Sequence, residues 1–100
     1  MNLQDILEEA AAALDDVEEV GAAGGVEWRR DGKAFAAVAG QVAEFRLQGP
    51  VAAAAIRTPD THPSPRGPEW VTFTPPELDG LALDRAEAWL ASAWRNAAPG

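Results

Sequence analysis

Apolar and polar residues alternate through Val26–Leu47 in three short runs separated by two turn signals, the one contiguous sheet pattern in the chain. Asp31-Gly32 is a two-residue hairpin turn that needs positive φ, and it sets Arg30 opposite Lys33 and Trp28 opposite Phe35. Alternation then predicts Val26, Trp28, Phe35 and Ala37 on one face, with Glu27 and Arg29 on the other. For Ala43, Phe45 and Leu47 to join the aromatic face, the second turn needs an odd number of residues. A loop of Val38, Ala39 and Gly40 supplies it, with Gly40 left-handed. The prediction is a three-strand meander with one aromatic face to be covered.

Helical spacing predicts the cover. Asn2 and Asp5 form an N-terminal capping pair for the periodic Leu3, Ile6, Leu7, Ala10, Leu14 and Val17, giving a helix from about Leu3 to Leu14, with Val17 as its furthest reach. The acidic residues that follow oppose the helix dipole and fray its end. Gly21–Gly25 lacks the Lys-Ser/Thr ending of a phosphate loop and precedes a strand, so it reads as a flexible entry to the sheet. Pro50 opens a short second helix that reaches about Arg57 before Pro59 stops it. Thr58–Pro68 carries four prolines and is expected to cross the surface as an extended loop outside regular structure. A fourth strand follows at Glu69–Thr74, with Val71 and Phe73 on one face and Trp70, Thr72 and Thr74 on the other. Asp79 caps the last helix, whose stripe of Leu83, Ala86, Leu90, Ala93 and Ala97, flanked by Trp89 and Trp94, is wide enough to cover a sheet. The fold class is α+β: a two-layer domain over residues 1–100, its antiparallel sheet covered by the N- and C-terminal helices.

Composition narrows the function classes. The chain of 100 residues has no cysteine, which excludes disulfides, a thiol nucleophile and a cysteine-based zinc site and fits a reducing cytoplasm. No apolar run is long enough to span a bilayer, and the start is acidic where a signal peptide is basic. A formal net charge of -8 repels nucleic acid. The acidic run of the first helix and its tail reads as a solvated face, with a site for a cation or a basic partner as the weaker alternative.

Polar chemistry converges only in the Pro-rich loop, where Asp60, His62, Ser64 and Arg66 lie close in sequence. Alternating prolines extend the chain and hold His62 away from Ser64, which argues against a nucleophile and base pair, so no enzyme activity is expected. One histidine without ligand spacing predicts neither metal nor cofactor. Pro65 and Pro68 present Arg66 on a restricted backbone, facing either an anionic ligand or an internal carboxylate. Trp70, on the back of the sheet, marks a binding surface if uncovered.

The order of elements, with Gly32-Lys33-Ala34-Phe35-Ala36, Trp70-Val71-Thr72 after the loop and Trp94 in the last helix where Tyr is common, resembles the MmcQ/YjbR-like family of small bacterial proteins over nearly the whole chain. The resemblance implies a two-layer fold like that of secretion chaperones. It brings no established activity or catalytic residues, although a DNA-binding role has been suggested for the family from its shape. The leading expectation is a non-enzymatic module that meets a protein or small anionic ligand through Arg66, His62 and Trp70. The alternative is DNA binding through Arg29, Arg30, Lys33 and Arg46, against the acidic balance of the chain.

Overall fold

The computed structural model describes residues 2–22 and 24–99. In chain order the elements are α1 (Leu3–Ala12), β1 (Glu18–Ala22), β2 (Gly25–Arg30), β3 (Lys33–Ala39), β4 (Val42–Arg46), α2 (Gly49–Ile56), β5 (Thr61–Pro63), β6 (Trp70–Phe73) and α3 (Gly80–Asn96). The six strands form one antiparallel sheet in the order β1-β2-β3-β4-β6-β5. Helices α1 and α3 pack on one face of it, and α2 lies against β5 and β6. The α+β, two-layer expectation therefore holds, with two more strands than the sequence pattern predicts.

The Asn2–Asp5 capping box starts α1, each side chain accepting the other residue's backbone N–H. The helix ends at Ala12, two residues earlier than expected, and Asp16 takes a positive φ of 58° as the chain turns into β1. Strand β1 is new: Glu18–Ala22 is neither helix tail nor flexible entry but pairs along β2, closing through Gly24 at φ 77°. Thr61–Pro63 is likewise an edge strand against β6, where the Pro-rich run predicts only loop.

The meander forms with a different register. Arg30 faces Lys33 as expected, but a β-bulge beside Trp28 and Arg29 places Trp28 opposite Ala36. Phe35 and Ala36 are both fully buried in the core, so the bulge turns two consecutive side chains inward and reverses the alternation beyond them. Val38 then joins the core while Ala37 takes the opposite face. That reversal removes the need for an odd loop. Gly40 and Gln41 alone make the second turn, Gly40 left-handed at φ 61°, with Ala36 facing Phe45 and Val38 facing Ala43. The turn also holds α1, since Gln41 Oε1 accepts from Leu3 N at 2.6 Å and Gly40 N donates to Gln4 Oε1 at 3.0 Å.

Between sheet and helices lie Trp28, Phe35, Phe45, Val71 and Phe73 from the strands and Leu3, Leu7 and Leu90 from the helices, all fully buried. Trp89 of α3 meets Phe73 edge-on at 5.1 Å between ring centroids. Burial of α3 centres on Ala82, Ala86, Leu90 and Ala93, continued by Ala97 at its C-cap, and Leu83 sits only partly buried on the flank.

Candidate functional site

The face of the sheet opposite α1 and α3 carries the polar chemistry. Its central row crosses all six strands through Val20, Glu27, Ala37, Glu44, Thr72 and His62, each paired with the next. Two carboxylates flank the small side chain of Ala37, and the bulge is what puts alanine there. Arg66 spans that gap from the loop after β5: Nη1 donates to Glu27 Oε1 and Nε to Glu44 Oε1, each at 2.9 Å. Arg29 Nε holds the other oxygen of Glu27 at 2.8 Å, and Ser64 Oγ donates to Glu44 Oε2 at 2.5 Å. Every carboxylate oxygen of the pair thus has a donor.

The loop is shaped for this contact. Ser64 N donates to Trp70 O, Trp70 N to Gly67 O, and Arg66 N to Ser64 Oγ, so residues 64–70 close on themselves. Gly67, at φ 152°, takes a conformation that side chains resist. The Arg66 guanidinium carbon lies 5.0 Å from the centroid of the Trp70 ring.

The electrostatics follow from the contacts. The Glu27 carboxyl is held below its ordinary pKa of 4.5, first by the Arg29 hydrogen bond and then, against the opposing effect of burial, by Arg66. Burial disfavours the Arg66 charge, but hydrogen bonds to Glu44 and Glu27 outweigh it and raise its pKa above the ordinary value.

Of the residues picked out in the sequence, the structure brings Arg66 and Trp70 together and leaves His62 apart, exposed on the edge strand across Thr72 from Glu44. Arg66 meets the internal carboxylates, the alternative the sequence left open, while about a third of its side chain stays accessible. Ser64 donates to Glu44 and not to His62. The sequence reading missed Glu44 as an anchor of the loop. Its place on the same face as Glu27 was legible, but not that β6 would bring Arg66 across β4.

Beside Arg66 lies a shallow groove of about 330 Å³, lined by Ala34, Arg46, Arg66, Gly67, Glu69 and Trp70 with Pro68. Arg46 is only loosely engaged, its Nη2 3.7 Å from Glu69, and both side chains are open to solvent. The groove therefore offers one accessible guanidinium, the free edge of a second and an indole. Among the described residues no group of three or more His, Cys, Asp or Glu is placed to hold a metal ion. No helix among them is long and apolar enough to cross a membrane.

The basic cluster around the first hairpin is dispersed. Arg29 pairs with Glu27, while Arg30 lies 4.0 Å over the Trp94 ring and donates to the Trp94 carbonyl at 2.9 Å, so it anchors the end of α3.

Together the sheet order and helical layer define an α+β protein with one covered and one open sheet face. A crystal structure of a protein from Pseudomonas syringae, a target of the Northeast Structural Genomics Consortium, shares this fold: its TM-score is 0.71 at 13% identity, over 98% of this chain and 100% of that one. No family model matches the sequence, and neither does any curated protein.

Proposed function

We propose that the protein is a non-enzymatic binding module of the MmcQ/YjbR type, acting in the cytoplasm, whose open sheet face takes an anionic ligand or an acidic side chain of a partner. The observation that carries this is the convergence of Arg46, Arg66 and Trp70 on one groove of about 330 Å³. A carboxylate or phosphate there exchanges the loose Glu69 contact for a charge-assisted hydrogen bond from Arg46, while the indole packs on the ligand's apolar part. Arg66 is already pinned by Glu27 and Glu44, so it is presented without further ordering.

NMR titration with citrate and with inorganic phosphate tests the reading. The Arg46 and Arg66 Nε–H and the Trp70 indole N–H are expected to shift together with either probe, and Arg46→Ala to abolish the shifts while leaving the fold intact. Titration to high concentration without movement of these three signals would remove the groove as a binding site.

A further inference from the structure

The two edges of the sheet are unequal. Strand β5 has only three residues, ends on Pro63, which lacks an N–H, and lies between Pro59 and Pro65. Strand β1 has five residues without proline, and among the described residues no strand lies on its outer side. Its outward backbone groups are a template for another strand.

Next to that edge the helical layer runs out. Helix α1 packs over β3 and β4 and stops at Ala12, leaving a cleft of about 140 Å³ lined by Glu8, Ala11, Leu14, Val17, Glu19 and Trp28, with Ala12 at its rim. Apolar walls thus carry two carboxylates. Glu19 is opposite Trp28 in the register and on its face of the sheet, fixed by the indole N–H at 3.1 Å. Glu8 accepts from Gln4 Nε2 at 3.0 Å. Neither carboxylate takes part in an ion pair among the described residues.

We propose that the β1 edge receives an extended basic segment of a partner protein as an added strand, with a Lys or Arg side chain entering the cleft between Glu8 and Glu19. Side chains of paired residues share a face, so the residue opposite Glu19 in the added strand points to the helix side, where the cleft lies. Main-chain hydrogen bonds supply the affinity and the cleft the selectivity. Charge selects the occupant. Glu8 and Glu19 line the cleft, Glu18 lies in the strand, Asp15 and Asp16 lie in the turn that leads into it, and the chain before Arg29 has no Lys or Arg. A second copy pairing through β1 would bring two equally acidic edges together with no Lys or Arg in either strand, which disfavours self-association.

The test is an NMR titration with a short peptide of alternating lysine and valine, set against a serine and valine peptide of equal length. The lysine peptide is expected to shift the amides of residues 18–22, to slow hydrogen exchange at those not bonded to β2, and to bind at least about tenfold more tightly than the serine peptide. Glu19→Gln keeps an oxygen for the Trp28 indole, and Glu8→Gln lies on the helix surface, so both variants should fold, and each should weaken the lysine peptide several-fold. Equal affinity for the two peptides, binding unchanged in both Gln variants, shifts confined to other surfaces, or no binding at millimolar peptide would each overturn the proposal.

Discussion

Arg66 illustrates how one side chain on a loop organises a sheet face. Its guanidinium joins Glu27 of β2 to Glu44 of β4 across Ala37, and each carboxylate keeps a second donor, Arg29 or Ser64. Arg66→Ala leaves both carboxylates half-buried but still hydrogen-bonded, so the expected loss is about 1–2 kcal/mol, measured by urea unfolding at neutral pH. The pH dependence has a definite sign. Glu27 has a folded pKa below its ordinary 4.5, so its contribution is present above that value and is lost as the pH falls through the lower folded value. Glu27→Gln should flatten this acid limb of the stability curve, and Arg29→Ala should flatten it more than Arg66→Ala, because Arg29 is the larger influence on the carboxyl. An unchanged acid limb in Glu27→Gln would contradict the assignment. In the core, Phe35→Ala removes a fully buried ring and is expected to cost about 3–5 kcal/mol, read as a lowered denaturation midpoint.

Among the elements, the β1–β2 hairpin depends on one glycine of its Gly-rich turn. A Cβ on Gly25 would lie 1.9 Å from the Val38 carbonyl oxygen and 2.8 Å from the Ala39 Cα, both backbone atoms of β3, whereas one on Gly21 meets nothing within 4 Å. Gly25→Ala must therefore push β2 from β3 and is expected to destabilise by about 2 kcal/mol or more, while Gly21→Ala changes stability by less than about 1 kcal/mol. Thermal unfolding of the pair checks the contrast. This hairpin also marks where the sequence stopped being legible. Glu18-Glu19-Val20-Gly21-Ala22 has no apolar alternation, because one side of β1 faces an open cleft and the other the polar row, so nothing in it announces a strand. The helices, the Asp31-Gly32 turn and the Val71–Phe73 face were readable because caps, positive φ and large apolar side chains leave strong signals. The bulge was not. In Ala34-Phe35-Ala36-Ala37-Val38 alanine suits either face, so the pattern cannot reveal that two neighbours turn inward. Prolines and Trp70 pointed to the Arg66 loop, but its partners depend on β6 lying next to β4, a long-range pairing that local pattern does not encode.

For the whole molecule, the distribution of charge weighs against the DNA alternative. The net charge is -8, and seven acidic residues before Arg29 that form no ion pair among the described residues lie on α1, its following turn and β1. Of the basic residues that the alternative relies on, Arg29 is bound to Glu27, Arg30 lies under the end of α3 and Arg46 reaches toward Glu69, which leaves Lys33 without an ion pair among the described residues; Arg66 is bound to Glu27 and Glu44. Duplex binding draws its affinity from neutralising several phosphates at once, so a DNA backbone would have to break these pairs while approaching a negative surface. At about 150 mM salt no retardation of a duplex is expected in a gel-shift titration carried to tens of micromolar protein, and lowering the salt should not produce one. The variant carrying Glu27→Gln and Glu44→Gln sharpens the test, because it frees Arg29 and Arg66 without enlarging any side chain. If pairing alone hid a DNA surface, this variant would retard the duplex with an affinity that falls steeply with salt. If the face is built for a small anion or an acidic side chain, the variant still leaves DNA unbound, because releasing Arg29 and Arg66 supplies too few cations to follow a phosphate backbone on a strongly acidic chain.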